Sequence, residues 1–292
     1  MGKVKGSMYE TKAIMEDYQM QAMGGMAGAL DIWECAILPS LLANCGSWVG
    51  MTKKVSNILD DTQNMYLRMM YSCPPSTPLP TLRTSAGMLG METRVWLEKI
   101  CLVTRILHTS EDKDNHCREV LEEQLRQGWP GLTAEVQEIC LKVGLPDATK
   151  MYLNRKEVAK SIEYHSMKVA KNEMGEKQKC RHLKNKDLRK MQSYMLRKSL
   201  SDSRIEFLWK TDMIETRTTM KGKYLKNQYW CPHCSEGRSI GAQETPSHLL
   251  TCSAYLDLRL GTDPELVEAD RATYLRKVIS RRKELEEELR KQ

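Results

Sequence analysis

The sequence predicts a mainly α-helical protein, because apolar residues recur at helical spacing along much of the chain. One Phe stands beside 19 Met, so we expect a core of Leu, Met, Ile and Val, which pack well on helices. From residue 147 to residue 229 no proline interrupts a basic, helix-forming pattern. A 41% apolar and 28% charged composition is typical of a globular chain rather than a disordered one.

The N-terminal part is predicted to be a bundle of helices. Stretches with helical periodicity lie at 9–29, 30–45, 55–70 and 91–107. Pro39 either kinks the second stretch or divides it. Residues 73–80 hold four prolines and are predicted to be extended or turning, since proline supplies no donor and disfavours helix in its predecessor. The polar residues 110–114 mark the end of this first domain, 1–110.

The remainder of the chain is predicted to form three further parts. Residues 111–226 form an extended, basic helical connector that begins with helices at 116–127 and 133–143. Residues 227–260 form a small module of the zinc-knuckle type, and residues 261–292 form a charged C-terminal helix at about 264–291. That last helix could pair with a partner helix, and the alternative is a single solvated helix.

The placement of charge matters more than the net charge of +7. Residues 150–226 hold 21 Lys or Arg against 9 Asp or Glu, a net +12, so the rest of the chain carries −5. Such a segment is typical of a surface that binds a polyanion. The alternative is a set of solvated helix faces.

The strongest local pattern is a set of three cysteines and a histidine, Cys231, Cys234, His248 and Cys252. A Cys-x-x-Cys turn brings two thiolates onto one ion, while His248 and Cys252 are four residues apart and share a helix face. The pattern predicts one structural Zn²⁺ ion, with Ser247 as the cap of the ligand helix. The alternatives are coincidence and a redox role for Cys231 and Cys234. His233 is predicted to point to solvent from inside the turn.

Basic and aromatic residues around this module predict RNA or DNA as the partner, because lysine and arginine neutralise phosphates and aromatic rings stack on unpaired bases. The candidate residues are Lys184, Lys186, Arg189, Lys190, Lys221, Lys223, Lys226, Tyr229, Trp230 and Arg238. For Tyr229 and Trp230 the alternative is packing onto the small core of the module.

The N-terminus and the cysteines predict a nuclear or cytoplasmic protein that is neither secreted nor in a membrane. The chain opens with Lys3 and Lys5 and continues polar, unlike a signal peptide. Seven of the ten cysteines are scattered singly, as reduced thiols in helices often are. The apolar run 35–51 is interrupted and is shorter than the ~20 residues of a membrane span, so we interpret it as a buried core helix.

Three segments, in this order, resemble the region after the catalytic palm in reverse transcriptases of non-LTR (LINE-like) retrotransposons. They are Ala29–Leu42 ending in Gly46-Ser47-Trp48, then Gly87–Met91 leading into Arg94-Val95-Trp96, then the Cys-Cys-His-Cys module with Glu244–Tyr255. The resemblance implies that the first 110 residues are a thumb-like helical domain that grips template and primer. It also implies that Cys231, Cys234, His248 and Cys252 are the ligands of a module that binds RNA or target DNA.

The resemblance carries no catalytic residue to this chain, which is therefore predicted not to be an enzyme. The polymerase needs an aromatic-x-Asp-Asp turn on a hairpin to hold two metal ions. Here the one Asp-Asp pair, Asp60-Asp61, lies in a helical pattern and is interpreted as a solvated helix face. Two further hypotheses remain: a zinc-stapled structural or protein-interaction module without nucleic-acid binding, and a nuclease or polymerase.

Overall fold

The computed structural model describes residues 6, 25–108, 116–175, 178–183, 185–188, 190–196, 199–216, 219, 230–234, 242–258 and 271–291. Within these ranges the chain is helical and has no strand, and the single β-bridge joins Trp230 to Gln243. The predicted fold class, mainly α, is therefore confirmed. The helices are α1 (Gly25–Ile32), α2 (Leu38–Leu41), α3 (Lys53–Tyr71), α4 (Leu79–Ala86), α5 (Met91–His108), α6 (His116–Gln127), α7 (Leu132–Val143), α8 (Arg155–Met174), α9 (Leu200–Lys210), α10 (Pro246–Thr251) and α11 (Arg271–Lys291).

The ends of the predicted helices agree with those of α3, α5, α6 and α7 to within two residues. Local signals fix these ends. Thr52 caps α3, since its side chain accepts a hydrogen bond from the backbone N–H of Val55. Gly144 ends α7 with φ at 73°, a conformation that glycine adopts without strain. The predicted helix at 9–29 is described only from Gly25 onward, and the joint at 110–114 lies outside the described residues.

Pro39 leaves the chain helical. A π-helical turn, Trp33–Ile37, lies between α1 and α2, and the N–H of Leu38 donates to the carbonyl of Trp33. Proline has no N–H for the carbonyl four residues earlier and its ring clashes with that carbonyl, and a wider turn relieves both problems. The prediction was a kink or a division at Pro39, and the structure instead has a local π turn in a continuous helical stretch, Gly25 to Leu41.

The prediction that residues 73–80 are extended or turning is wrong at its end, because α4 begins at Leu79. Pro78 is the N-cap of α4 and Pro80 lies in its first turn. The first N–H groups of a helix have no intrahelical partner, so a proline costs little at these positions.

A first core lies between α1–α4, the start of α5, and α9. The rings of Trp33 and Tyr66 are 4.9 Å apart, and the Tyr66 hydroxyl donates to the carbonyl of Ala29 at 2.5 Å. Tyr71 stacks on Phe207 of α9 with ring centroids 4.0 Å apart. A helix of the predicted connector, residues 111–226, therefore completes the N-terminal core.

A second core uses the remaining length of α5 together with α6, α7 and α8. Its fully buried residues are Ile100, Val103, Val136, Ala148, Val158 and Ile162. Because α5 contributes to both cores, the described helices on the two sides of residue 110 pack on a shared element. The domain boundary at residue 110 stays a prediction.

All ten cysteines are free thiols, including the seven single ones. Among the helices of the described part of the chain, none combines the length and the apolar character needed to cross a lipid bilayer. The run 35–51 instead contributes Ile37, Leu38, Leu41 and Cys45 to the first core, so its predicted burial is confirmed. The prediction of one helix over this run is wrong, because α2 ends at Leu41 and only a 3₁₀ turn, Cys45–Ser47, follows it.

A third core joins α11 to the residues around the cysteines. Leu275 and Val278 of α11 are fully buried, and they pack with Leu249, Tyr255 and the three cysteines of the predicted module. The description of α11 begins at Arg271, because residues 259–270 lie outside the described ranges. The alternative of a solvated terminal helix is wrong, because the apolar side of α11 is buried in its own chain. Binding of α11 to a further helix stays a prediction.

Candidate metal centre

The turn Cys231–Cys234 presents two thiols on the same side of the backbone. The N–H of Cys231 donates to the carbonyl of Ala242 at 2.8 Å, beside the bridge from Trp230 to Gln243. The backbone N–H groups of His233 and Cys234 point at the sulfur of Cys231. Such N–H groups stabilise a thiolate, which is the form of cysteine that binds metals.

The second pair of side chains comes from α10 and the residue after it. Thr245 is the N-cap of α10, since its side-chain oxygen accepts a hydrogen bond from the N–H of His248 at 3.0 Å. The prediction of Ser247 as the cap is wrong, because Ser247 lies inside the first turn and is exposed. The N–H of Cys252 donates to the carbonyl of His248 at 2.8 Å, so the four-residue spacing still places both side chains together.

The four donor atoms lie close enough together to surround one metal ion. The sulfurs of Cys231 and Cys252 are 3.8 Å apart, the sulfur of Cys234 lies 3.5 Å from Nε2 of His248, and all four atoms lie within 4.8 Å of one another. In a tetrahedron with about 2.3 Å from zinc to sulfur and about 2.0 Å to nitrogen, those edges are about 3.8 Å and about 3.5 Å. These four residues could hold one metal ion.

The centre is closed and sheltered. The three cysteines are buried and His248 is half-buried, and within the described ranges no fifth Cys, His, Asp or Glu joins the group. Four protein ligands complete a tetrahedron, so an ion held here has no open position for water. Such an ion would link the turn to α10.

The sulfurs of Cys231 and Cys252 are joined by a hydrogen bond. The hydrogen bond between the two sulfurs lowers the pKa of Cys231 and raises the pKa of Cys252. Burial also raises the pKa of the Cys252 thiol. A divalent cation would lower the pKa of all three cysteines, because it stabilises every thiolate that binds it.

The prediction that His233 points to solvent is wrong. Its ring packs near the ring of Tyr255, with centroids 6.5 Å apart, and its Nε2 atom is buried. Burial lowers the pKa of His233, so the neutral form is favoured. His233 is not a member of the four-residue donor set, as predicted.

A buried ion pair ties the ligand-bearing loop to α11. The Arg282 guanidinium donates to both carboxylate oxygens of Glu244, at 2.9 and 3.2 Å, and also to the carbonyl of Glu215 at 2.9 Å. Glu244 is fully buried and lies next to the cap residue Thr245. No local sequence pattern indicates this pair, because Arg282 and Glu244 are 38 residues apart.

A second set of contacts holds α11 against α9. Arg271 pairs with the buried carboxylate of Glu206 at 3.2 Å, and its guanidinium lies 4.2 Å from the ring centroid of Trp209. Arg276 pairs with Asp202 at 2.9 Å. Because Phe207 of α9 lies in the first core, α9 connects the first core to the metal centre.

The structure describes three of the ten residues predicted to bind nucleic acid. Lys186 and Lys190 are exposed, while Trp230 is half-buried at the bridge to Gln243. The other seven lie outside the described residues: Lys184, Arg189, Lys221, Lys223, Lys226, Tyr229 and Arg238.

The pair Asp60-Asp61 lies on α3, as predicted, but the two residues differ. Asp61 is exposed, whereas Asp60 accepts a hydrogen bond from the N–H of Met91 at 3.1 Å and pairs with Arg83 at 3.1 Å. Asp60 therefore joins α3 to the first turn of α5 and to α4. The interpretation as a solvated helix face holds for Asp61 only.

No family model, curated protein or solved structure matches this chain.

Proposed function

We propose that this chain is a non-catalytic nucleic-acid-binding protein that carries one structural zinc ion. The observation that carries the proposal is the buried set of three cysteines and one histidine, which follows a segment with a net charge of +12. The set supplies a rigid fold at the end of that segment, and the segment supplies positive charge for RNA or DNA.

Zinc is the metal that suits this donor set. Thiolates and imidazole are soft or borderline ligands, and a closed tetrahedron of three sulfurs and one nitrogen is typical of structural zinc sites. Hard ions such as Mg²⁺ and Ca²⁺ prefer six or more oxygen ligands. The ion would stabilise the third core without taking part in a reaction.

The family proposal follows the resemblance to non-LTR retrotransposon reverse transcriptases. The order of the three resembling segments supports it, and the chain would then correspond to the region after the catalytic palm. The Cys-Cys-His-Cys module would bind RNA or target DNA there. Such a protein would act in the nucleus or cytoplasm, where reduced thiols remain available to zinc.

Binding of fluorescently labelled RNA and single-stranded DNA, measured over a range of salt concentrations, tests the nucleic-acid function. If six to ten phosphates of a single strand are contacted, affinity should fall by roughly 10²- to 10⁴-fold between about 50 and 200 mM salt. Absence of binding, or binding that salt does not weaken, would overturn the proposal.

A second candidate function is a zinc-stapled structural or protein-interaction module. The Arg282–Glu244 pair favours it, because this part of the metal-binding module is already committed to packing against α11. Reversal of the charges at Lys184, Lys186, Arg189 and Lys190 separates the two functions. Under the first function RNA affinity should collapse, whereas under the second function binding of the protein partner should persist. The control reverses four exposed lysines elsewhere, at Lys53, Lys54, Lys277 and Lys283.

A further inference from the structure

The solvent side of α8 carries a row of lysines with a tyrosine at its centre. Lys156, Lys160, Tyr164, Lys168 and Lys171 are all exposed. Successive residues of an α-helix are about 100° apart, so these five side chains fall within an arc of about 120°. We call them the α8 lysine face.

The opposite side of α8 anchors the helix in the second core. Val158 and Ile162 are fully buried there, and Asn154 caps the helix by accepting a hydrogen bond from the N–H of Lys156 at 2.8 Å. The lysine face therefore lies on a fixed helix whose core side is already occupied.

Tyr164 is the most exposed aromatic residue in the described part of the chain, at 64%. One exposed aromatic residue is ordinary by itself. Tyr164, however, lies one turn from Lys160 on one side and one turn from Lys168 on the other. Four residues of helix advance about 6 Å, so the two lysines are about 12 Å apart along the axis with the ring halfway between them.

The positive charge of the face is only partly neutralised by its neighbours. Within the described ranges no ion pair involves any of its four lysines, whereas the nearby Arg155 and Lys150 pair with Glu98 and Asp147. Two acids lie near it on α8, the exposed Glu157 and the half-buried Glu163. Counting these two against the four lysines leaves a net charge of +2.

The positive surface continues onto α7. The exposed Lys142 lies 4.4 Å from the ring centroid of Trp96, and that ring lies 5.8 Å from the ring of His165 on α8. Burial lowers the pKa of His165, and the nearby Lys142 and Lys168 lower it further, against the opposing effect of Glu92. Lys142 therefore extends the α8 lysine face sideways.

We propose that the α8 lysine face binds single-stranded nucleic acid, with one base stacked on Tyr164 and flanking phosphates held by Lys160 and Lys168. This proposal rests on the nucleic-acid function proposed above and assigns it to a surface. An aromatic ring between cations is the arrangement that single strands require, because each base has a face to stack and each phosphate a charge to neutralise. In a duplex the bases are paired and stacked inside, so Tyr164 has no base to contact.

The test uses the full chain and a fluorescein-labelled oligouridylate, with anisotropy read over a range of salt. Tyr164→Ala should weaken binding by about ten-fold, since stacking contributes about 1–3 kcal/mol per base. Tyr164→Phe keeps the ring and should retain the affinity. Trp129→Ala, which removes another exposed aromatic residue, is the control and should bind like the unaltered chain.

The charged part of the face is tested by the salt dependence. The double variant Lys160→Gln with Lys168→Gln should reduce the slope of log K against log salt by about 1.4, because each phosphate contact on a single strand contributes about 0.7. The control replaces the exposed pair Lys53 and Lys54 with glutamine and should leave the slope unchanged.

Each other outcome overturns the assignment in a recognisable way. If the unaltered chain binds and the α8 variants behave like their controls, the assignment to α8 is wrong and the proposed function stands. If the unaltered chain binds no nucleic acid, both fail together. If the lysine variant is weakened, Tyr164→Ala is not, and polyglutamate displaces the probe, the face binds acidic polypeptides instead.

Discussion

Arg282 connects α11 to Glu244, which lies next to the first turn of α10. Its guanidinium satisfies both oxygens of Glu244, which has no exposed surface, and reaches the backbone at Glu215. A buried pair of this kind contributes little net stability compared with an apolar pair, but loss of one partner is costly because a charge then stays buried.

Arg282→Ala should lower the free energy of unfolding by about 3–5 kcal/mol, because Glu244 loses its guanidinium. Urea denaturation followed by circular dichroism measures the change. Arg281→Ala, at the adjacent exposed position of the same helix, is the control and should change stability by less than about 0.5 kcal/mol. Equal effects at the two positions would contradict a special role for Arg282.

Asp60→Ala should lower the free energy of unfolding by about 1–3 kcal/mol, because the N–H of Met91 and the guanidinium of Arg83 both lose an acceptor. Asp61→Ala is the matched control. Both substitutions raise helix propensity on the same helix by the same amount, so the difference between them isolates the contacts of Asp60. Similar urea midpoints for the two variants would show that Asp60 is a surface residue.

At the residue scale, sequence reasoning identified the four donors because their spacing follows from local geometry. A Cys-x-x-Cys turn and a four-residue interval bring side chains together wherever they occur. The burial of His233 and the pairing of Arg282 with Glu244 were not predicted, because both depend on contacts between segments that are distant in the sequence. The choice of Thr245 over Ser247 depended on where α10 begins, and Pro246 in its first turn was the overlooked signal.

At the element scale, α11 packs against both α9 and the candidate metal centre. Its apolar side packs on the cysteine cluster, while Arg271 and Arg276 hold it to α9. The metal ligands and α11 should therefore stabilise each other.

Leu275→Ala should reduce stability by about 2–5 kcal/mol, since it leaves a cavity beside the metal centre. It should also make the bound metal easier to remove, because the ligands lose part of their support. The rate of zinc transfer to a coloured chelator measures this effect. Lys277→Ala, an exposed change on the same helix, should leave the transfer rate unchanged. Equal transfer rates for the two variants would contradict the claim that α11 supports the metal ligands.

Helical periodicity predicted the elements well wherever the chain is amphipathic, as in α3 and α5. It was less successful at prolines. The π turn before Pro39 and the start of α4 at Leu79 both depend on how a missing donor is accommodated locally. The packing of α11 against the rest of the chain was not predictable either. Most of its residues are charged, and the few apolar ones contact segments that are distant in the sequence.

At the scale of the whole molecule, three larger cores share their helices. The first and second share α5, while α9 contributes to the first and to the third. Composition and charge predicted the helical class and the basic segment, which are properties of the chain as a whole. How the described helices of residues 111–226 fold back onto both N-terminal cores could not be predicted, since it depends on contacts such as Tyr71 with Phe207.

Metal removal should loosen the third core and leave the other two in place. That core is small and depends on the ion, whereas the first two are held by large apolar surfaces. In a thermal scan under reducing conditions, a chelator should move only the lower-temperature part of the helical signal, and added zinc should restore it. A chelator that changes nothing, or that unfolds all helices together, would contradict this separation.

The stoichiometry of bound zinc tests the central claim most directly. Elemental analysis of the purified, reduced chain should give about one zinc per molecule, because four donors complete one tetrahedron. Cys252→Ser should lose most of that zinc and melt at a lower temperature, whereas Cys117→Ser, at an exposed thiol outside the donor set, should keep it. A chain that contains no zinc and takes up none, with melting unchanged in Cys252→Ser, would contradict the account.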